Sequence, residues 1–208
     1  MQVATYYFNQ GGGYMYPILI ILIIGLFFVA ERLYFLFKGL GYGFSFSEEV
    51  AETVTSSGFK SAVDKSLEGV GPIANLCHET VSKAQYGVDE AEKSMDNTSA
   101  IEMAAMEKNM TWISLCIATA PMIGFLGTVV GMIQAFDDIK AANDISPAVV
   151  AGGISVALLT TAFGLIAAVI LQLFQNLCLY IIDLQIVNMQ KGAVVVMDSI
   201  KSHFRKNS

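Results

Sequence analysis

Three long stretches of this chain carry no charged side chain, and they constrain the fold more than any other feature. Tyr14 to Ala30 is an uncharged run of 17 residues. A second run extends from Met110 to Phe136 and is closed by Asp137 and Asp138. A third begins near Pro147 and stays free of charge until Asp183. Crossing a hydrocarbon core takes about 20 mostly apolar residues in a helix. Lipid offers no hydrogen bonds, so a spanning segment must satisfy its own backbone, and long apolar runs do so as helices. Composition agrees, with 14% charged and 54% hydrophobic residues, against about 25% charged in ordinary soluble domains. The chain reads as an all-α membrane protein with three transmembrane helices.

The basic residues set an orientation. Of the 12 Lys and Arg, only Lys140 lies in the 137–147 segment, and none precedes Arg32. The rest fall in residues 31–109 or after 183, which the positive-inside rule places in the cytoplasm. The first run lacks a basic n-region and a small-residue cleavage site, so it is read as a retained helix. The expected division is an outer N-terminus at 1–13, spans at 14–37, 110–136 and 148–182, and an outer loop at 137–147. Cytoplasmic helical segments occupy 38–109 and 183–208, giving an N-out, C-in chain. Within the cytoplasmic part, Ser47 before Glu48 and Glu49 is a candidate N-cap. Gly69-Val70-Gly71-Pro72 predicts a break, with Pro72 opening the next helix. Val88 to Lys108 is expected to run straight into the second span. Gln172, Gln175 and Asn176 make the lower end of the third run polar, which suggests a helix continuing out of the membrane.

Several functions are poorly matched. The net charge of −6 leaves no basic stripe to neutralise phosphates, so nucleic acid is not an expected partner. Cys77, Cys116 and Cys178 are far apart and show neither metal nor disulfide spacing. His78 and His203 stand alone. No metal, cofactor or nucleophile constellation is legible, and the chain is not read as an enzyme.

Spans two and three each carry a stripe of small residues. Ala120, Gly124, Gly127, Thr128, Gly131 and Ala135 recur at three- and four-residue spacing, as do Gly153, Ala157, Gly164 and Ala168. Small residues let membrane helices approach closely. Spacing alone allows two readings: the two spans pack on each other, or their faces receive helices of another subunit. The polar groups of these spans are hydroxyls and amides such as Thr128, Gln134, Ser155, Thr160 and Thr161, with no acid or base among them. Hydroxyls can donate and accept but cannot hold a proton as a carboxylate does. A proton-handling role would need an acid from a partner.

Residues 120–136 (APMIGFLGTVVGMIQAF) followed by 152–168 (GGISVALLTTAFGLIAA) resemble the MotA/TolQ/ExbB proton-channel family, and ExbB-type subunits in particular. Glu31-Arg32, Gly71-Pro72 and Met106-Glu107-Lys108 before Trp112 extend the likeness over nearly the whole chain. The resemblance implies a multi-pass protein of the bacterial inner membrane, forming a homopentameric ring in lipid around two helices of an ExbD-like single-span partner. That partner's membrane aspartate would take up and release protons, and the ring would turn the proton-motive force into work on the periplasm or outer membrane. Thr128 and Thr161 match the motif threonines and are the implied pore residues. Pro121, Gly124, Gly127 and Gly131 match backbone-shaping positions. Together with Gly153, Ala157 and Gly164 they are the expected packing surface for the partner helix. Two positions depart from the family: Val156 stands where relatives carry glutamate, and Ile170 where they carry proline. A non-conducting membrane scaffold is the alternative reading. Thr160 and Thr161 flank the centre of the span-three stripe almost equally, so periodicity cannot choose between them. The motif alignment favours Thr161 as pore-facing, with Thr160 turned to a neighbouring helix or its own backbone.

Overall fold

The computed structural model describes residues 2–41, 43–142 and 147–207. They form seven helices: α1 (Gln2–Gln10), α2 (Met15–Gly39), α3 (Phe44–Ser66), α4 (Pro72–Ala84), α5 (Val88–Glu107), α6 (Met110–Ala142) and α7 (Pro147–Asn207). Three helices are long and apolar enough to cross a membrane, and α2, α6 and α7 supply them. The chain divides into two compact units.

Unit 1 comprises Met1–Glu31 and Asn109–Leu177. Its three apolar helices meet at Ile18, Ala120 and Ala167, with Ile21, Leu22 and Ile123 packed around them. Gly25 lets α2 and α7 approach, since a Cβ there would stand 2.6 Å from Leu171 Cδ1. Trp112 stacks on Phe28 with ring centroids 6.2 Å apart. The helix α1 is an addition to the sequence reading. Its Phe8 meets Tyr16 edge-on at 5.4 Å and Phe163 at 6.5 Å, and tyrosine rings such as that of Tyr16 favour the membrane–water boundary.

Unit 2 comprises Arg32–Lys108 and Cys178–Ser208. It buries large apolar side chains, among them Val50, Val54, Leu76, Val81, Met106, Met189 and Ile200. Pro72 opens α4 at its first turn, as expected from the Gly-Val-Gly-Pro break. Arg32 is 2% exposed. Its Nη1 donates to the Ala105 carbonyl at 3.1 Å, one of the α5 end carbonyls that lack a helical partner. Its guanidinium also lies over the Phe35 ring at 4.9 Å. Gly58, at φ +82°, bends α3 in mid-course.

Three expectations need correction. Ser47 is not an N-cap: α3 starts at Phe44 behind Gly43, and Ser47 Oγ bonds back to the Phe44 carbonyl at 2.5 Å. The helix over 88–108 does not run straight into the second span. Lys108 leaves helical geometry at ψ 139° and Asn109 takes φ +66°, a left-handed conformation asparagine tolerates better than most residues. Asn109 Nδ2 donates to Glu31 Oε2 at 3.1 Å, which fixes that turn from 78 residues away. The charge pair Asp137-Asp138 does not end the second helix either, because α6 continues to Ala142. Of the expected 137–147 loop, residues 143–146 lie outside the described residues. The third helix does continue well past its apolar run, as one element of 61 residues.

Candidate ion-pathway site on α6 and α7

The two small-residue stripes face each other inside unit 1. A Cβ on Gly124 would lie 2.8 Å from the Thr160 carbonyl and 3.1 Å from Thr161 Cα. One on Gly127 would lie 2.7 Å from Thr160 Oγ1, and one on Gly164 would lie 2.7 Å from the Ala120 carbonyl. Gly131 faces Ala157 at 3.3 Å, and Gly153 abuts Ala135. Only residues without side chains permit this approach. Gly124, Gly127, Gly131, Gly153, Ala157 and Gly164 thus make close contacts between α6 and α7 within the chain. Pro121 sits half-buried in mid-helix, where its missing N–H removes one helical bond.

Packed helices this close explain the paired threonines. Thr160 is 1% exposed. Its Oγ1 lies 2.8 Å from the Ala157 carbonyl and 3.2 Å from the Gly124 carbonyl. Thr161, half-buried, donates to the same Gly124 carbonyl at 3.2 Å. The two hydroxyls thus converge on one oxygen of α6, which the absence of a side chain at Gly124 leaves open. Four residues on, half-buried Thr128 donates to the Phe125 carbonyl at 2.6 Å. With their protons on backbone carbonyls, Thr128 and Thr161 retain oxygen lone pairs as acceptors.

The departures from the family pattern have clear surroundings. Val156 Cγ1 lies 3.6 Å from the Cβ position of Gly12, so it packs an aliphatic group beside the turn between α1 and α2. The helix α7 runs through Ile170 without interruption.

A polar group that sequence reasoning took only as a sign of the membrane exit forms a network. Gln175, 9% exposed, donates to Ser114 Oγ at 2.5 Å, and Ser114 Oγ lies 3.2 Å from the Met110 carbonyl. Gln172 Nε2 donates to Asn176 Oδ1 at 3.0 Å and lies 3.5 Å from Gln175 Oε1. The 172/175/176 spacing, which puts three amides on one helical face, was the signal available. Among the described residues no group of His, Cys, Asp and Glu could hold a metal ion.

The profile of the MotA/TolQ/ExbB proton channel family matches residues 52–191, about two-thirds of the chain and the whole of α6. This chain belongs to that family. Among curated proteins it is similar to the putative biopolymer transport protein ExbB homolog of Methanothermobacter thermautotrophicus. The two are 30% identical over 168 residues, covering 79% of this chain and 58% of that protein. It is 32% identical over 130 residues to the biopolymer transport protein ExbB of Pseudomonas putida, covering 58% and 40%. It is 25% identical over 123 residues to the putative biopolymer transport protein ExbB-like 3 of Synechocystis, covering 57% and 56%. The chain spans about half the length of these relatives. Family membership and three apolar helices make it a multi-pass membrane protein of a transport-associated family.

Proposed function

We propose that this MotA/TolQ/ExbB family chain is the ring subunit of a motor driven by the proton-motive force in the inner membrane. Five copies enclose two helices of an ExbD-like single-span partner, with the N-terminus outside and the C-terminus in the cytoplasm. The membrane segments are taken as 14–37, 110–136 and 148–182. The observation that carries this reading is the hydroxyl pair Thr128 and Thr161 beside a glycine-lined seam, in two spans without a charged residue. The seam keeps α6 and α7 together while the motor runs.

The chemistry follows from the hydroxyl bonds. A protonated aspartic acid on the partner is a donor, and the Thr128 and Thr161 oxygens can accept from it without giving up their bonds to Phe125 and Gly124. An ionised aspartate needs donors, which Thr161 provides by turning its proton away from the Gly124 carbonyl. Each such bond contributes about 0.5–1.5 kcal/mol, rising to roughly 3 kcal/mol with a charged acceptor. The ring itself supplies no titrating group at this level, and Val156 leaves the partner's acid as the proton carrier. The load is work on the periplasm or outer membrane. A scaffold that holds a partner without conducting remains the competing reading.

Native mass spectrometry of the complex, co-expressed with a single-span partner bearing a membrane aspartate, tests the assembly. Five chains with two partner copies is the expected mass. A monomer, or a ring that never retains the partner, would refute it.

A further inference from the structure

In the amide group on α7, Gln172 and Asn176 bond to each other rather than to α6. Gln172 and Asn176 are exposed on the subunit, within a run that stays uncharged until Asp183. Gln175 is instead buried and tied through Ser114 to α6, which anchors the group. At 100° per residue, Gln172 lies about 20° and Asn176 about 60° around the helix from Thr161, and Gln172 sits about 16 Å further along. The hydroxyl and the two amides therefore lie on one side of the helix, with Leu165 and Ala168 between their levels. The bond between Gln172 and Asn176 uses one donor and one acceptor. Each side chain has further capacity, which hydrocarbon cannot satisfy.

We propose that Gln172 and Asn176 line a water-filled inner half of the ion pathway, which carries protons between the Thr161 level and the end of the span nearest Asp183. This inference rests on the motor reading above and adds residues that the motif threonines do not include. Neighbouring Leu173, 66% exposed, points about 100° away and belongs to the apolar face.

Cysteine accessibility tests it in the assembled complex, in vesicles whose interior is known. The three native cysteines are buried and set the background. Gln172→Cys is expected to react with a membrane-impermeant maleimide, added on the side of the C-terminus, about ten-fold faster than Leu173→Cys, because ionisation of a thiol needs water. In parallel, Gln172→Leu should lower proton flux about ten-fold, the effect of losing roughly one hydrogen bond along the path, and Gln172→Ser should restore much of it. Labelling of Gln172→Cys only by a lipid-soluble maleimide, or normal flux through the Gln172→Leu complex, would overturn the proposal. Absence of flux from the unmodified complex would instead overturn the motor reading on which it rests.

Discussion

The joint between α6 and α7 in unit 1 is made by small residues, and the core of unit 2 by large ones. Between α6 and α7 the contacts are Gly124, Gly127 and Gly131 against Ala157, Thr160 and Gly164. Unit 2 instead buries Leu76, Met106, Met189 and Ile200, each at 1% exposure or less. The difference follows from the solvent each is built for. In water, burying an aliphatic side chain releases about 25 cal/mol per Å², so large residues hold the bundle together. Lipid is as apolar as leucine and gives no such return, so association depends on close backbone approach and hydrogen bonds. The threonine hydroxyls on the Gly124 carbonyl serve that second kind of joint.

The largest effect should come from filling the seam. Gly164→Leu places an isobutyl group where even a Cβ would sit 2.7 Å from the Ala120 carbonyl. Backbone cannot yield as a flexible side chain can, so size-exclusion chromatography should show loss of the assembled protein. Gly13→Ala, which meets nothing within 4 Å, should assemble normally. If Gly164→Leu assembled equally well, the seam would not be the joint described.

In unit 2 the expected response has the opposite sense of size. Leu76→Ala removes a buried side chain in α4 and should cost about 2–5 kcal/mol, read as a lowered unfolding midpoint in detergent. A neutral result would mean that unit 2 is not held by burial. Gly58→Ala, at φ +82° with nothing within 4 Å of its Cβ position, should cost about 1–2 kcal/mol for backbone conformation alone.

The two threonines sharpen the comparison within the seam itself. On the proposed function, Thr161→Val keeps the shape and removes the hydroxyl that would meet the partner, so it should cripple motor-dependent transport at unchanged membrane levels. Thr160→Val removes a buried bond to the chain's own backbone. It should reduce stability by about 1 kcal/mol with a milder loss of transport. The reverse order of defects in a transport assay would assign the pore-facing hydroxyl to Thr160. The smallest expected effect concerns Cys77. Burial pushes its thiol up to about 12, so at pH 8 it stays protonated, and a hydrophilic thiol reagent should leave it unmodified in the folded protein.

What the sequence made legible was what depends on local pattern. Three charge-free runs gave α2, α6 and α7, and the Gly71-Pro72 step placed the start of α4. The break at Lys108-Asn109 was not legible, because its left-handed turn is held by Glu31, a residue remote in sequence. The local pattern offered only Asn109 itself, a residue that tolerates the left-handed turn. The end of α6 was misplaced because charge marks where a membrane stops, whereas Asp, Lys and Ala can all continue a helix into water. The small-residue stripes were visible as stripes, but spacing cannot say which surface fills them. The approach of Thr160 to Gly124 and Gly127 shows that α6 and α7 meet there within the chain. The amides at 172, 175 and 176 were seen as polarity, while the pairing of Gln175 with Ser114 needed the two helices side by side.

On the proposed function, this subunit guides protons without carrying one. Proton flux into liposomes under an imposed potential tests it, comparing the ring alone with the ring bound to its single-span partner. One elementary charge moved across 100 mV releases about 2.3 kcal/mol, and using it requires a group that binds and releases the proton. Negligible flux is expected from the ring alone, flux with the partner, and loss of that flux when the partner's aspartate becomes asparagine. Strong voltage-dependent proton flux through the partner-free ring would contradict it.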